Sequence, residues 1–396
     1  MGSILVTCEL GENLGHVTRL LAIATGLRQA GYLVIAAVRE IPTTASIFSR
    51  FNVPFIQAPY IVADMTLVGS ITSYADILLA HGWRDPAILW SYVSAWTTLY
   101  RVVNPDFIIH DASPCARLSS WICDIPSLCI GNGYDVPPDI FPLPLFPGLG
   151  GPDSDRAPKA EMEVLENANA VIAFYKGRSI SGLRELFFGT SMLITFPELD
   201  HYGPRAEASY TGTLSRSVGG TVLSEGFSQQ EKHIFAYLRK THRIANILEG
   251  LVDSGLNVIC VTPDLDDALV KRFESSRTRF YRQPIPLDCI YDTTSVCFSY
   301  SPEGTVTSFL LRGIPQILVP STIERSLLAE RVREMGAGLV LHADVGARDI
   351  KAALCHVVQD ENYRRNAKDF GNKHSDHSPA HAVNRVVARV RATLGG

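Results

Sequence analysis

A histidine and an aspartate stand at the ends of two apolar runs, at positions that suit proton transfer. His16 follows SILVTC and the turn LGENLGH, and opens an amphipathic stretch, VTRLLAIATGLRQAG. Asp111 closes the run FIIHD. An imidazole can accept a proton near neutral pH, and a carboxylate beside it orients the ring and stabilises its charged form. Ligands collect at the carboxyl ends of parallel strands, where both residues fall. A helix start lowers a histidine's pKa, so the placement of His16 predicts a neutral ring able to act as a base. Taken singly, each residue also has an ordinary reading, a packed corner histidine and a helix N-cap.

The second candidate is the corner SPEG, between the apolar run VCFSY and the helical stretch TVTSFLLRG, with the strand PQILVP after it. This strand–helix–strand pattern over residues 296–325 predicts Ser301 as N-cap and Pro302 at the first helical position. Gly304 falls in the first turn, and Gly313 stops the helix before Pro315. Free N–H groups and the positive end of the helix dipole would suit a phosphate there.

The elements that position these residues alternate between apolar strands and amphipathic helices. YLVIAAV is a continuous apolar run of the kind buried in a parallel sheet. The opening is Rossmann-like but lacks G-x-G-x-x-G, since nothing between Gly11 and Gly15 completes it. Glu40 closes the second strand where dinucleotide enzymes hold a ribose; without the glycines a dehydrogenase is set aside. Trp83, Trp90 and Trp96 concentrate in residues 41–104, as core or as the lining of a pocket for a flat or apolar ligand. Residues 131–158 are rich in Pro and Gly and predict a long irregular loop. Apolar periodicity fades from 201 to 220, and a second α/β run begins at HIFAYL. PAHAVNRVVARVRATL is a closing amphipathic helix. His374, His377 and His381 lie near it without a Cys or carboxylate to complete a metal site.

At 396 residues two domains are expected, and 46 % hydrophobic with 19 % charged residues supplies a core for each. The formal net charge is −4 with Lys and Arg dispersed, which argues against nucleic acid as a partner. No apolar run approaches the ~20 residues of a membrane span. SILVTC starts without a basic flank or cleavage site, and Gly2 lacks the hydroxyl residue of a myristoylation signal. The eight cysteines lie mostly in apolar strands, as buried reduced thiols do, so a cytoplasmic location is expected.

Three stretches, LGHVTRLLAIATGLRQAGYLVIAAV, NPDFIIHDASPCARLSSWICDIPSL and SPEGTVTSFLLRGIPQILVPSTIERSLLAERVREMGAGL, together resemble the GT-B glycosyltransferases of family 1, which include plant, antibiotic and sterol enzymes. The third is the most specific: its glycine, threonine, two prolines and closing GAG fall at the family's spacing. The resemblance implies an α/β fold of two Rossmann-like domains facing a central cleft. The boundaries expected are 1–205 for the acceptor-binding domain, 206–230 for a linker and 231–375 for the donor-binding domain. Residues 376–396 would form a helix that packs back on the first domain. It further implies inverting transfer from a nucleotide sugar, UDP- or dTDP-linked, to a hydroxyl of a small-molecule acceptor, aromatic or lipid-like if the tryptophans face it. His16 matches the general base and Asp111 its paired carboxylate. Gly304 and Thr305, with Tyr300 and Ser301 before them, match the diphosphate cradle. Gln283 lies near the nucleobase segment, and Glu324–Arg325 stands at the pair that holds the sugar hydroxyls. No resident cofactor and no metal are implied, because helix dipole and hydrogen bonds neutralise the leaving phosphate.

The chain departs from that pattern in the donor half. Tyr300 replaces the histidine that contacts the diphosphate and brings no positive charge. Pro302 removes one N–H, and Glu303 adds a negative charge beside the expected phosphates. At ~4 Å and an effective dielectric of ~20, such a like-charge pair costs on the order of 4 kcal/mol, so Glu303 must point away. Arg325 is cationic where the family has glutamine, and suits a phosphate or carboxylate better than a neutral sugar. A second reading is therefore a degenerate GT-B homologue that binds a ligand or partner without catalysis. A nucleotide-sugar epimerase is a third, for which the extra acidic and basic groups cannot be placed.

Overall fold

Each apolar run becomes a strand of one of two all-parallel sheets. The computed structural model describes residues 2–11, 14–64, 66, 71–149, 156–187, 189, 191–214 and 232–395. The chain divides into two compact units, Met1–Leu214 with Ser378–Gly396, and Ser215–His377. Of the expected linker, residues 215–230 lie outside the described residues, as do 150–155 of the Pro- and Gly-rich loop.

The first unit holds β1 (Ser3–Cys8), β2 (Leu33–Val38), β3 (Phe55–Gln57), β4 (Phe107–Asp111), β5 (Ser127–Gly131) and β6 (Ser191–Leu193). They pair in the order β3-β2-β1-β4-β5-β6. The second unit holds β7 (His233–Tyr237), β8 (Asn257–Val261), β9 (Thr278–Tyr281), β10 (Thr294–Ser299), β11 (Gln316–Leu318) and β12 (Gly338–Val340), in the order β12-β11-β10-β7-β8-β9. Each order reverses direction once, between β1 and β4 and between β7 and β10. At such a point two neighbouring crossovers run to opposite sides and leave a crevice at the strands' carboxyl ends. Helices cover both faces, so strands such as β4 are buried throughout, which is why they read as unbroken apolar runs.

The last helix, Pro379–Thr393, belongs to the first unit. Its apolar stripe, Ala382, Val386, Val387 and Val390, joins the core formed by Leu20, Ile23, Ala24 and Leu27 of the helix Leu14–Gln29. Gly26 permits that approach: a Cβ there would stand 2.4 Å from Cγ1 of Val383.

One expectation is corrected, and one pair of alternatives is decided. Ser301 is not the N-cap of the second unit's key helix, which runs Glu303–Leu311 with Pro302 in the cap position. Ser301 instead takes a left-handed conformation (φ 64°), and its buried hydroxyl donates to the carbonyl of Arg325 at 3.1 Å. The left-handed turn sets Ser301 one residue outside the cap position, which Pro302 takes. Trp83 and Trp96 do not line a pocket, since both are fully buried; Trp90 is on the surface, its ring edge-on to Phe174. Their spacing reflected core packing of the helix Pro86–Val103 and its neighbours.

Candidate active site

His16 and Asp111 meet where the first sheet reverses. β1 and β4 are hydrogen-bonded neighbours, with Thr7 opposite His110, so their carboxyl ends lie side by side. The exits are tied together: the Leu10 N–H donates to the Ala112 carbonyl (3.0 Å), and the Glu9 N–H to the Ser113 hydroxyl (3.0 Å). The chain from β1 then turns into the helix Leu14–Gln29, and His16 lies in its first turn. Its Nδ1 stands 3.1 Å from Oδ2 of Asp111, whose side chain is 0 % exposed. With Nδ1–H donating to the carboxylate, Nε2 carries the lone pair and can accept a proton.

The surroundings keep this pair close. Gly11 packs directly on the ring, for a Cβ there would fall 2.5 Å from Cγ of His16 and 2.6 Å from Sγ of Cys8. Arg19, one helical turn beyond His16 and itself buried, donates from Nη1 to Oδ1 of Asp111 at 2.8 Å. Each oxygen of the carboxylate therefore has its own cationic or ionisable partner. Beneath them Glu9 is buried, accepting the N–H groups of Cys115 and Ala116 (2.8 and 3.0 Å) at the start of the helix Pro114–Ile122.

The expectation that His16 has a lowered pKa is overturned. Burial does pull it down, but the Asp111 carboxylate and then Cys8 outweigh burial and leave it well above the ordinary 6.5. A full carboxylate at 3.1 Å outcompetes the partial charge of a helix end. Burial would raise Asp111, yet Arg19 and His16 hold it below the usual carboxylate range. Glu9 is pushed up by burial to about 7, against the pull of its two N–H donors.

Among the described residues, Cys8, His16 and Asp111 bring one potential metal-ligating atom each within 4.8 Å of the others. Arg19 already occupies the carboxylate, and burial pushes the Cys8 thiol up, so a cation there would face a guanidinium and a protonated sulfur.

The donor residues expected from the sequence follow β9, β10 and β11 in the second unit. Gln283 is exposed in the turn after β9. Tyr300 follows β10 at the reversal point, half-buried, its ring 5.1 Å from that of Tyr237 at the end of β7. The Arg325 guanidinium lies over the Tyr300 ring at 4.7 Å, and its Nη1 donates to Ser321 Oγ. Gly304 and Thr305 occupy the first turn of Glu303–Leu311, and a Cβ at Gly304 would meet nothing within 4 Å. First-turn N–H groups have no partner inside their own helix, so this corner offers donors to an approaching anion. Glu324 lies in the first turn of Ile323–Glu334, whose cap, Thr322 Oγ1, accepts the Arg325 N–H. The structure thus brings Tyr300, Ser301 and Arg325 into direct contact, while Gln283 sits three strands away in the sheet order.

Sequence reasoning missed Cys8, Gly11, Arg19 and Tyr237. Arg19 left a trace, because it lies three residues after His16 on a helix and so shares its face. Tyr237 left none, since its pairing with Tyr300 depends on β7 lying beside β10.

Two parallel sheets in two compact units, each reversing its strand order once, are the two Rossmann-like domains of the GT-B fold. Residues 277–389 match the family described as Erythromycin biosynthesis protein CIII-like, C-terminal domain. The erythronolide mycarosyltransferase of Saccharopolyspora erythraea is 30 % identical over 113 residues, 28 % of this chain and 27 % of that protein. The aclacinomycin-T 2-deoxy-L-fucose transferase of Streptomyces galilaeus is 24 % identical over 127 residues, 31 % of this chain and 28 % of that protein. The matched stretch therefore spans little more than a quarter of these curated relatives. Similar solved structures extend over the whole chain: the calicheamicin glycosyltransferase CalG4 has a TM-score of 0.72 at 15 % identity, covering 100 % of this chain and 99 % of its own. The glycosyltransferase VinC in complex with dTDP has a TM-score of 0.69 at 14 % identity, covering 98 % of this chain and 100 % of its own. Among the described residues, no helix is long and apolar enough to cross a membrane.

Proposed function

We propose that this chain is an inverting glycosyltransferase that moves a sugar from a nucleoside-diphosphate donor to a hydroxyl of a small-molecule acceptor. The observation that carries the reading is the 3.1 Å contact of His16 Nδ1 with a buried Asp111 carboxylate at a sheet reversal. In the reaction the acceptor hydroxyl gives its proton to Nε2 of His16 while its oxygen forms the new bond to the anomeric carbon. The bond from that carbon to the donor phosphate breaks in the same displacement, and the nucleoside diphosphate leaves with the electron pair. Asp111 stabilises the imidazolium that forms.

The second unit supplies the donor grip in this reading. Negative charge developing on the leaving phosphate is met by the helix start at Gly304 and Thr305 and by Arg325, which brings the charge that Tyr300 lacks. Glu324 would accept from the sugar hydroxyls, and no resident cofactor or metal is called for. The complex of VinC with dTDP favours a dTDP-linked donor over a UDP-linked one, and the relatives' names favour an acceptor resembling erythronolide or aclacinomycin-T.

A degenerate, ligand-binding homologue is the second reading, favoured by one observation: Pro302 caps the donor helix beside a left-handed Ser301, with Glu303 in the first turn. Thermal stabilisation by dTDP and UDP, followed by turnover of a dTDP-sugar panel, separates the two. Stabilisation with transfer that His16→Ala abolishes supports the enzyme. Binding without transfer supports the degenerate homologue.

A further inference from the structure

We propose that Arg19 is a positioning residue for the proposed base: its guanidinium fixes the Asp111 carboxylate toward His16 and balances its charge while the imidazole is neutral. The inference rests on His16 being the base.

Its physical warrant is the state the pair must occupy before reaction. A general base waits with a neutral ring, and at that moment Asp111 is a carboxylate with no exposed surface facing an uncharged partner. A buried charge without a counter-charge is costly and draws a proton onto its neighbourhood, here first onto the more basic imidazole. Here Arg19 Nη1 lies 2.8 Å from Oδ1, so the carboxylate stays ionised whether or not His16 carries a proton. Because Arg19 holds Oδ1 and His16 approaches Oδ2, the two contacts also fix the carboxylate plane and hence the direction of the imidazole.

The groups facing this pair come from three adjacent strand exits. Cys8 ends β1, Asp111 ends β4, and Asp135 follows β5. The Asp135 Oδ2 lies 3.7 Å from Arg19 Nη1, with its side chain 12 % exposed. The β5 exit is built for that placement: a Cβ on Gly131 would collide with Cβ of Asp135 at 2.6 Å, and the Asn132 Oδ1 accepts the Asp135 N–H. Arg19 is therefore shared between two carboxylates, one toward the base and one on the loop that carries Tyr134. A cation placed there restrains the basicity of His16, and its removal leaves the negative field of Asp111 unopposed.

The experiment is an NMR pH titration of the His16 ring, identified by its loss in His16→Ala, in the full-length protein and in Arg19→Gln and Arg19→Lys. The His16 midpoint should rise in Arg19→Gln by about one pH unit, as expected for losing one nearby positive charge, and stay near wild type in Arg19→Lys. Where turnover is measurable, the acid limb of kcat/KM should move upward with it. An unchanged or lowered midpoint in folded Arg19→Gln would overturn the proposal. Should Arg19→Gln fail to fold, Asp135→Asn serves instead: it frees Arg19 of a competing carboxylate and should move the midpoint down, and no movement would count against the coupling. The titration needs no substrate, so an inactive wild type with the predicted shifts would reject the transferase reading and leave the Arg19 coupling standing.

Discussion

Each ionisable residue of the His16 cluster acts through the protonation state that its neighbours impose. His16 must be neutral to accept a proton, and its pKa lies above the ordinary 6.5 because Asp111 and Cys8 outweigh burial. The rate should therefore rise as pH increases through that raised midpoint, so a kcat/KM profile is expected to show its acid limb above pH 6.5. Asp111→Asn should remove the charge that raises the ring and lower kcat by roughly 10²–10⁴-fold, with the remaining limb shifted to lower pH. Glu9 gives a separate test of burial. Its pKa rises on folding from 4.5 to about 7, so the folded chain binds the extra proton between those values and loses stability as pH rises through them. Urea unfolding at pH 5 and pH 8 should show wild type losing on the order of 3 kcal/mol relative to Glu9→Gln. An equal response of the two proteins would mean that Glu9 is not a buried titrating acid.

At the scale of elements, the strand ends were legible and the contacts between them were not. The runs SILVTC and FIIHD announced β1 and β4, and their carboxyl-terminal His16 and Asp111 were readable as a pair. That β4 lies beside β1, bringing the two within 3.1 Å, is a non-local pairing that no window of sequence contains. The Ser301 error has the same origin: Ser-Pro is a good helix start locally, but the left-handed turn and the bond to the Arg325 carbonyl are set by another helix. Aromatic spacing likewise could not tell Trp96 in the core from a pocket wall. Glycine positions test these contacts directly. Gly11→Ala should push the His16 ring away, lowering kcat by about 10-fold or more through misplacement of the base while donor affinity is unchanged. Gly26→Val, which inserts bulk against Val383, should cost about 1–3 kcal/mol in unfolding experiments by separating the final helix from Leu14–Gln29.

For the whole molecule, the proposal gives each sheet reversal its own share of the chemistry: His16 as base in the first unit and the corner at Gly304 and Thr305 as anion site in the second. The two-unit α/β organisation was legible because two sets of alternating strands and helices flank a stretch without apolar periodicity. The corner proposed to hold the donor was legible only as a departure, with Tyr300 and Arg325 in place of the expected groups; that Arg325 lies over Tyr300 needed the structure. If the guanidinium supplies the missing charge, Arg325→Gln should weaken dTDP binding by roughly 10-fold or more in calorimetry, with a smaller loss for thymidine. Equal losses for both ligands would place Arg325 away from the phosphates. The most direct test of the central claim is transfer from a panel of dTDP-sugars to a hydroxyl acceptor by wild type and His16→Ala, with dTDP affinity measured on both. With His16 as the base, dTDP affinity should stay within about 2-fold and transfer should fall by roughly 10²–10⁴-fold in the variant. Transfer that persists in His16→Ala, or a wild type that binds dTDP and transfers nothing, would contradict it.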